Sequence, residues 1–238
     1  DSIGDPGVPI VDCNQVYAQC ALDDESSPTV KTYKVGVVGG VGPGATVDFL
    51  NKIVRNTPAR IDQEHIKIVV EQNPQIPDRT ANLVAEGADP TVALYATCKK
   101  LEEAGADLIA IPCNTAHAFV ERIQPYLGIP IVNMLFETVQ HIHRNHPEDK
   151  TVGLLATDGT VKSGIYQEVA KNHAIHLVTP DEPYQRLVME AIYGERGVKS
   201  GFTTGKCLDD LHAAIEHLVR DKGVAVVILG CTELSIVK

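Results

Sequence analysis

Twice in this chain an apolar run of strand length ends on a cysteine that is followed at once by polar residues. The first is Leu108-Ile109-Ala110-Ile111-Pro112-Cys113-Asn114-Thr115-Ala116-His117. The second is Val226-Val227-Ile228-Leu229-Gly230-Cys231-Thr232-Glu233. Short apolar runs bounded by turn residues read as buried strands. Buried strands that alternate with helices form parallel α/β sheets, whose ligands sit beyond the carboxyl ends of the strands. Two cysteines at two such ends are expected to face each other across one cleft and to move a proton.

The remaining segments fit that frame. Lys34 to Gly40 reads as a strand entering the glycine turn Val41-Gly42-Pro43-Gly44-Ala45-Thr46, with an amphipathic helix over Val47 to Arg55. The glycine spacing is not that of a dinucleotide fingerprint, but such a loop can hold a carboxylate. Ile66 to Val70 is a strand leading to a long polar loop, Glu71 to Thr80, which carries Arg79. Arg79 either pairs with Asp78 at the surface or grips a carboxylate through two parallel hydrogen bonds. Pro90 to Ala104 is a helix, Phe119 to Tyr126 another, Ile129 to Val132 a strand and Met134 to His143 a helix. The alternation restarts at Thr151 to Ala156, and Val35-Gly36-Val37-Val38-Gly39 resembles Val152-Gly153-Leu154-Leu155-Ala156, a weak sign of duplication. The expected fold class is therefore α/β: two pseudo-symmetric parallel-sheet domains, 1–130 and 131–238, with an active-site cleft between them.

Composition narrows the function. The formal net charge of −10 argues against a nucleic-acid partner. No signal peptide or membrane-length apolar run is visible in the sequence as given. The six cysteines lack the dense spacing of a disulfide-stapled module and include no Cys-x-x-Cys pair, which implies a reducing, cytoplasmic setting. Cys13, Cys20, Cys98 and Cys207 read as small core residues. A zinc site from Cys113, His117 and Cys231 is disfavoured, because no close ligand pair repeats.

Four motifs, taken together and in order, carry a resemblance: Gly39-Gly40-Val41-Gly42-Pro43-Gly44-Ala45-Thr46, Ile76-Pro77-Asp78-Arg79-Thr80, Pro112-Cys113-Asn114-Thr115-Ala116-His117 and Gly230-Cys231-Thr232-Glu233-Leu234. The chain resembles the cofactor-independent aspartate/glutamate racemases, with the aspartate enzymes the nearer group. The resemblance implies a cofactor-free and metal-free racemisation of aspartate, and commonly a homodimer. Cys113 and Cys231 would be the acid and base. Asn114, Thr115 and Thr232 would donate to the α-carboxylate or the thiols, joined by Thr157 and Thr160, with Gly42 and Thr46 in the glycine loop. Arg79 and Lys199 match the readers of the substrate's side chain, although Arg196 and Lys206 rival Lys199. His117 either bonds locally or caps packing. Glu233 either orients a histidine or the substrate amine, or faces solvent. Activity on glutamate or on acidic amino acids broadly, a maleate isomerase or a decarboxylase of the same superfamily, and carboxylate binding without turnover remain open.

One segment departs from the family pattern. In such racemases the second cysteine strand is followed by a further strand and helix. Here residues 1–22, with Gly7-Val8-Pro9-Ile10-Val11-Asp12 and a helix from Asn14 to Leu22, resemble that tail, and 23–32 reads as a linker. A circular permutation and an upstream tandem copy both explain this. The permutation is tied to one expectation, that the Ile10 strand pairs beside the Val35–Val38 sheet.

Overall fold

The computed structural model of the chain describes residues 7–20 and 33–238. The linker read over 23–32, the end of the first helix beyond residue 20 and the side chain of Cys20 lie outside them. The described chain runs β1 (Ile10–Asp12), α1 (Cys13–Cys20), β2 (Lys34–Gly39), α2 (Pro43–Asn56), β3 (Lys67–Gln72), α3 (Arg79–Ala85), α4 (Thr91–Glu103), β4 (Leu108–Ala110) and α5 (Val120–Ile123). It continues with α6 (Met134–Asn145), β5 (Thr151–Leu155), α7 (Asp158–Ser163), α8 (Ile165–Lys171), β6 (His176–Val178), α9 (Glu182–Tyr193), α10 (Lys206–Lys222) and β7 (Val226–Leu229).

The strands form two parallel sheets, ordered β3-β2-β4 and β1-β7-β5-β6. In each half the first strand of the βαβ run lies between the second and the third: β2 between β3 and β4, and β5 between β6 and β7. The chain therefore reverses direction across each sheet between its first and third strand. Loops leaving the carboxyl ends of strands on either side of such a switch diverge and leave a crevice. Cys113 and Cys231 follow the third strand of their halves, so both crevices carry a thiol at equivalent places. The two halves are pseudo-symmetric by this strand order.

Close helix–sheet approach repeats as well. A β-carbon on Gly36 would come within 2.9 Å of Ala106 and 3.1 Å of Leu101 on α4, and one on Gly153 within 2.9 Å of Leu218 on α10. Both glycines let the helix that precedes the cysteine strand lie flat on the sheet. A central apolar cluster takes Val35, Val37 and Ala110 from one sheet and Val152, Leu154, Val226 and Ile228 from the other, together with Tyr17, Phe49, Met134 and Tyr166. Shared burial of this kind locks the halves against each other. Separate clusters pack α4 and α9–α10 on the outer faces.

Three expectations are corrected. The Ile10 strand does not join the Val35–Val38 sheet. It pairs parallel with Val227, Ile228 and Leu229 of β7, so it extends the other sheet. The permuted order is left without the pairing to which it was tied. The polar loop over Glu71 to Thr80 is shorter than expected, because β3 runs to Gln72 and α3 starts at Arg79 with Asp78 as its cap. Ile129 to Val132 forms no strand beyond a bridge from Ile131 to Ile109. Pro130 offers no N–H, and its carbonyl accepts from Ile109 instead.

Among the described residues no helix is long and apolar enough to cross a membrane.

Candidate active site

The loops after β2, β4, β5 and β7 converge on one narrow cleft. Val41, Cys113, Asn114, Thr115, Thr157, Cys231, Thr232 and Glu233 come from these loops, and Arg79, Thr80, Tyr193 and Lys199 complete the wall. Both thiols are thus brought to a single cleft. Each is almost buried, with Cys113 8% exposed and Cys231 6%.

Arg79 arrives through a helix start. Asp78 accepts from the Ala81 N–H at 2.7 Å and caps α3, which turns Arg79 into the cleft. Its Nη1 donates to the carbonyls of Ile76 and Pro77 at 3.2 and 3.1 Å. Its buried Nε has no hydrogen-bond partner among the described residues. Burial opposes the charge, yet Cys113 and Asp78 nearby hold the guanidinium above its ordinary value. An unpaired guanidinium N–H in a pocket is a donor waiting for an anion.

The opposite wall carries an ion pair. Lys199 Nζ, on the loop after α9, bonds the Glu233 carboxylate. The Tyr193 ring lies 5.3 Å from the same ammonium. Burial works against both charges, but each supports the other. Lys199 is raised above its usual range, and Glu233 is lowered below the usual carboxylate value. Cys231 Sγ donates to Glu233 Oε2 at 3.1 Å. Burial and then the carboxylate push this thiol well above its ordinary value, so Cys231 is held protonated. The loop after β2 must pass very close: a β-carbon on Gly42, at φ 114°, would fall 2.3 Å from Glu233 Oε1.

A threonine seam joins the halves beneath the cavity. Thr115 Oγ1 is 2.8 Å from Thr160 Oγ1 and 3.1 Å from Thr157 Oγ1, and Thr80 Oγ1 donates to Thr157 Oγ1 at 3.1 Å. Thr232 Oγ1 crosses between the cysteine loops, reaching Pro112 O at 3.1 Å and Glu233 Oε2 at 3.3 Å.

Other expected residues stand behind this wall. Thr160 joins the seam without lining the cavity. Thr46 accepts from the Gly40 N–H and donates to Gly42 O, which shapes the glycine turn from behind. His117 accepts from the Met134 N–H at Nε2, which leaves Nδ1 to donate to Cys113 O at 2.9 Å. Burial lowers its pKa, and the neutral ring fastens the Cys113 loop from below. Both ring nitrogens are occupied, and among the described residues no group of three or more His, Cys, Asp or Glu is placed to hold a metal. Arg196 and Lys206, the rivals of Lys199, do not line the cavity; Lys206 pairs with Asp210. Sequence reasoning missed Tyr193, Thr80 and Val41. Thr80, next to Arg79, was the one a helix-start reading of Asp78 would have found.

The chain matches the family described as Asp/Glu/Hydantoin racemase over residues 38–238. It is 32% identical over 164 residues to the broad specificity amino-acid racemase RacX of Bacillus subtilis, an alignment covering 66% of this chain and 69% of RacX. It spans 50% of the length of a matching glutamate racemase from Aquifex pyrophilus, at 28% identity. Among solved structures it resembles an aspartate racemase of Picrophilus torridus, with a TM-score of 0.73 and 32% identity over 87% of this chain and 84% of that one. It also resembles a putative Asp/Glu racemase of Yersinia pestis, with a TM-score of 0.70 and 25% identity over 87% and 88%. With two thiol loops meeting in one charged cleft, and with this extent of likeness, the chain belongs to the Asp/Glu/Hydantoin racemase family.

Proposed function

We propose that this chain racemises an acidic amino acid, with aspartate the preferred substrate, by proton transfer at Cα between Cys113 and Cys231. The observation that carries this reading is that both thiols line one cavity whose charges complement an amino dicarboxylic acid. Arg79 and Lys199 bring two positive charges and Glu233 one negative charge. The substrate brings two carboxylates and one ammonium. Glu233 also disfavours a maleate-like dicarboxylate, which has no ammonium to offer it.

In the forward direction a thiolate takes the Cα proton. The C–H electron pair passes into the carboxylate as an enediolate, and the thiol on the other side returns a proton to the opposite face. The roles exchange for the other enantiomer. Acid–base catalysis of this kind contributes about 10²–10⁴-fold, and the rest comes from stabilising the enediolate. Arg79, with its free Nε, and the hydroxyls of Thr115, Thr157 and Thr232 are the donors available for that charge. No cofactor is required in this scheme.

Aspartate is favoured by the Pro77-Asp78-Arg79-Thr80 motif and by the likeness to the Picrophilus enzyme. The likeness to RacX favours a second reading, a broad specificity racemase. A substrate methylene is worth only about 1–3 kcal/mol of discrimination, so glutamate turnover at a lower rate is compatible with the first. Incubation in deuterated water tests the proposal. Racemisation exchanges the α-hydrogen of both L- and D-aspartate for deuterium, seen by NMR. Binding without exchange in either enantiomer overturns it. A homodimer is the assembly proposed with this activity, and sedimentation velocity tests it.

A further inference from the structure

The segment from Ile10 to Cys20 lies outside the matched span of 38–238, yet it touches both thiol loops within two residues of each cysteine. Cys13 Sγ donates to Leu229 O at 3.0 Å, two residues before Cys231, and accepts from Asn114 Nδ2 at 3.3 Å, one residue after Cys113. Tyr166 Oη in turn donates to Asn114 Oδ1 at 2.7 Å, which fixes which end of the amide faces Cys13. Tyr17 Oη accepts from the Ile111 N–H at 3.1 Å, two residues before Cys113, and donates to Val132 O at 2.6 Å. Both side chains are fully buried. The segment is itself anchored, by β1 on β7 and by Asp12 to Lys52 of α2 at 2.5 Å.

We infer that this segment is a strut that sets the relation of the two thiol loops, with Cys13 and Tyr17 as positioning residues. The hydrogen bonds run in one consistent direction: Tyr166 to Asn114, Asn114 to Cys13, Cys13 to Leu229. Burial, with Asp12 adding to it, pushes the Cys13 thiol up to about 12, so it remains a donor at any working pH. A buried apolar cysteine needs no such partners. Here one sulfur ties a residue beside the first thiol to a residue beside the second. For catalysis the inference rests on the racemase reading; for geometry it does not.

The test has two readouts, one independent of activity. Three variants separate volume from bonding: Cys13→Val keeps bulk but cannot donate or accept, Cys13→Ser keeps both bonds, and Tyr17→Phe removes one oxygen. Iodoacetamide labelling, followed by peptide mass spectrometry, reads Cys113 and Cys231 against Cys98 and Cys207 as internal references. In Cys13→Val the labelling rates of Cys113 and Cys231 change by about threefold or more, because local donors and access set thiolate reactivity. Tyr17→Phe changes chiefly Cys113, and Cys13→Ser restores both rates. In racemisation, kcat of Cys13→Val falls about tenfold or more with KM nearly unchanged, since small displacements of acid and base act on the chemical step. Should Cys13→Val fail to fold, Tyr17→Phe decides by the same labelling. Unchanged labelling in the folded variants overturns the inference, as does a Cys13→Ser that behaves like Cys13→Val. If the wild-type protein exchanges no α-hydrogen, the racemase reading falls while the labelling still decides the strut.

Discussion

The two thiol loops share a backbone plan and differ in charge. Cys113 and Cys231 each follow the third strand of a βαβ run, and each is nearly buried at the edge of the same cavity. Cys113 has a guanidinium beside it, Arg79. Cys231 has a carboxylate, Glu233, to which its thiol donates a hydrogen bond. Pseudo-symmetry of the fold therefore does not extend to the electrostatics. In the proposed two-sided proton transfer, Cys231 is the side that its neighbours hold protonated before any substrate enters.

Breaking either thiol gives the largest effect. Cys113→Ser and Cys231→Ser are each expected to lower kcat for racemisation by about 10²-fold or more, because a serine hydroxyl neither ionises near neutrality nor replaces a thiolate. Full activity in either variant would sink the two-thiol scheme. Arg79→Lys sharpens the comparison on the Cys113 side. Loss of the planar fork should cost about 2–5 kcal/mol of dicarboxylate binding, read as a rise in KM or in the inhibition constant of a substrate analogue.

Glu233→Gln probes the other side, with a smaller effect. It removes the anion that keeps Cys231 protonated, so iodoacetamide should label Cys231 about several-fold faster while Cys113 keeps its rate. Equal acceleration at both thiols would mean that the loops do not differ as described. The smallest effect is on acid stability. Glu233 titrates lower in the folded protein than its ordinary 4.5, so its contribution is present above that value. As the pH drops below 4.5 and through the depressed folded value, the contribution is lost. Lys199 is raised, and stays charged throughout that window. Urea midpoints between pH 6 and 3 should therefore fall less steeply in Glu233→Gln than in the wild type.

How far the sequence reached depended on whether a residue's role was local. The cysteine strands were legible because an apolar run ending in Cys-Asn-Thr or Cys-Thr-Glu has few other uses. Arg79 and Lys199 line the cleft, Arg79 from the first position of α3 and Lys199 from the loop after α9. The helix beginning at Arg79 was hidden by two nearby prolines, although Asp78 was a legitimate cap. Strand β3 was cut short at Val70 because Glu71 and Gln72 are polar residues on a sheet edge. The partner of β1 could not be read, since three residues fit either sheet and only tertiary packing selects one. Tyr193 was missed because its place depends on how α9 ends against Lys199, and no local pattern encodes that.

The buried threonines carry one more consequence. Thr115, Thr157 and Thr160 lie within 3.2 Å of one another in a ring in which either oxygen of each contact can be the donor. A hydroxyl swings its hydrogen by turning a single bond. The ring can thus present a hydrogen or a lone pair toward the cleft, and swap between them with every heavy atom at rest. A scaffold that must serve left- and right-handed molecules alike gains from a lining whose polarity flips while its shape stays fixed.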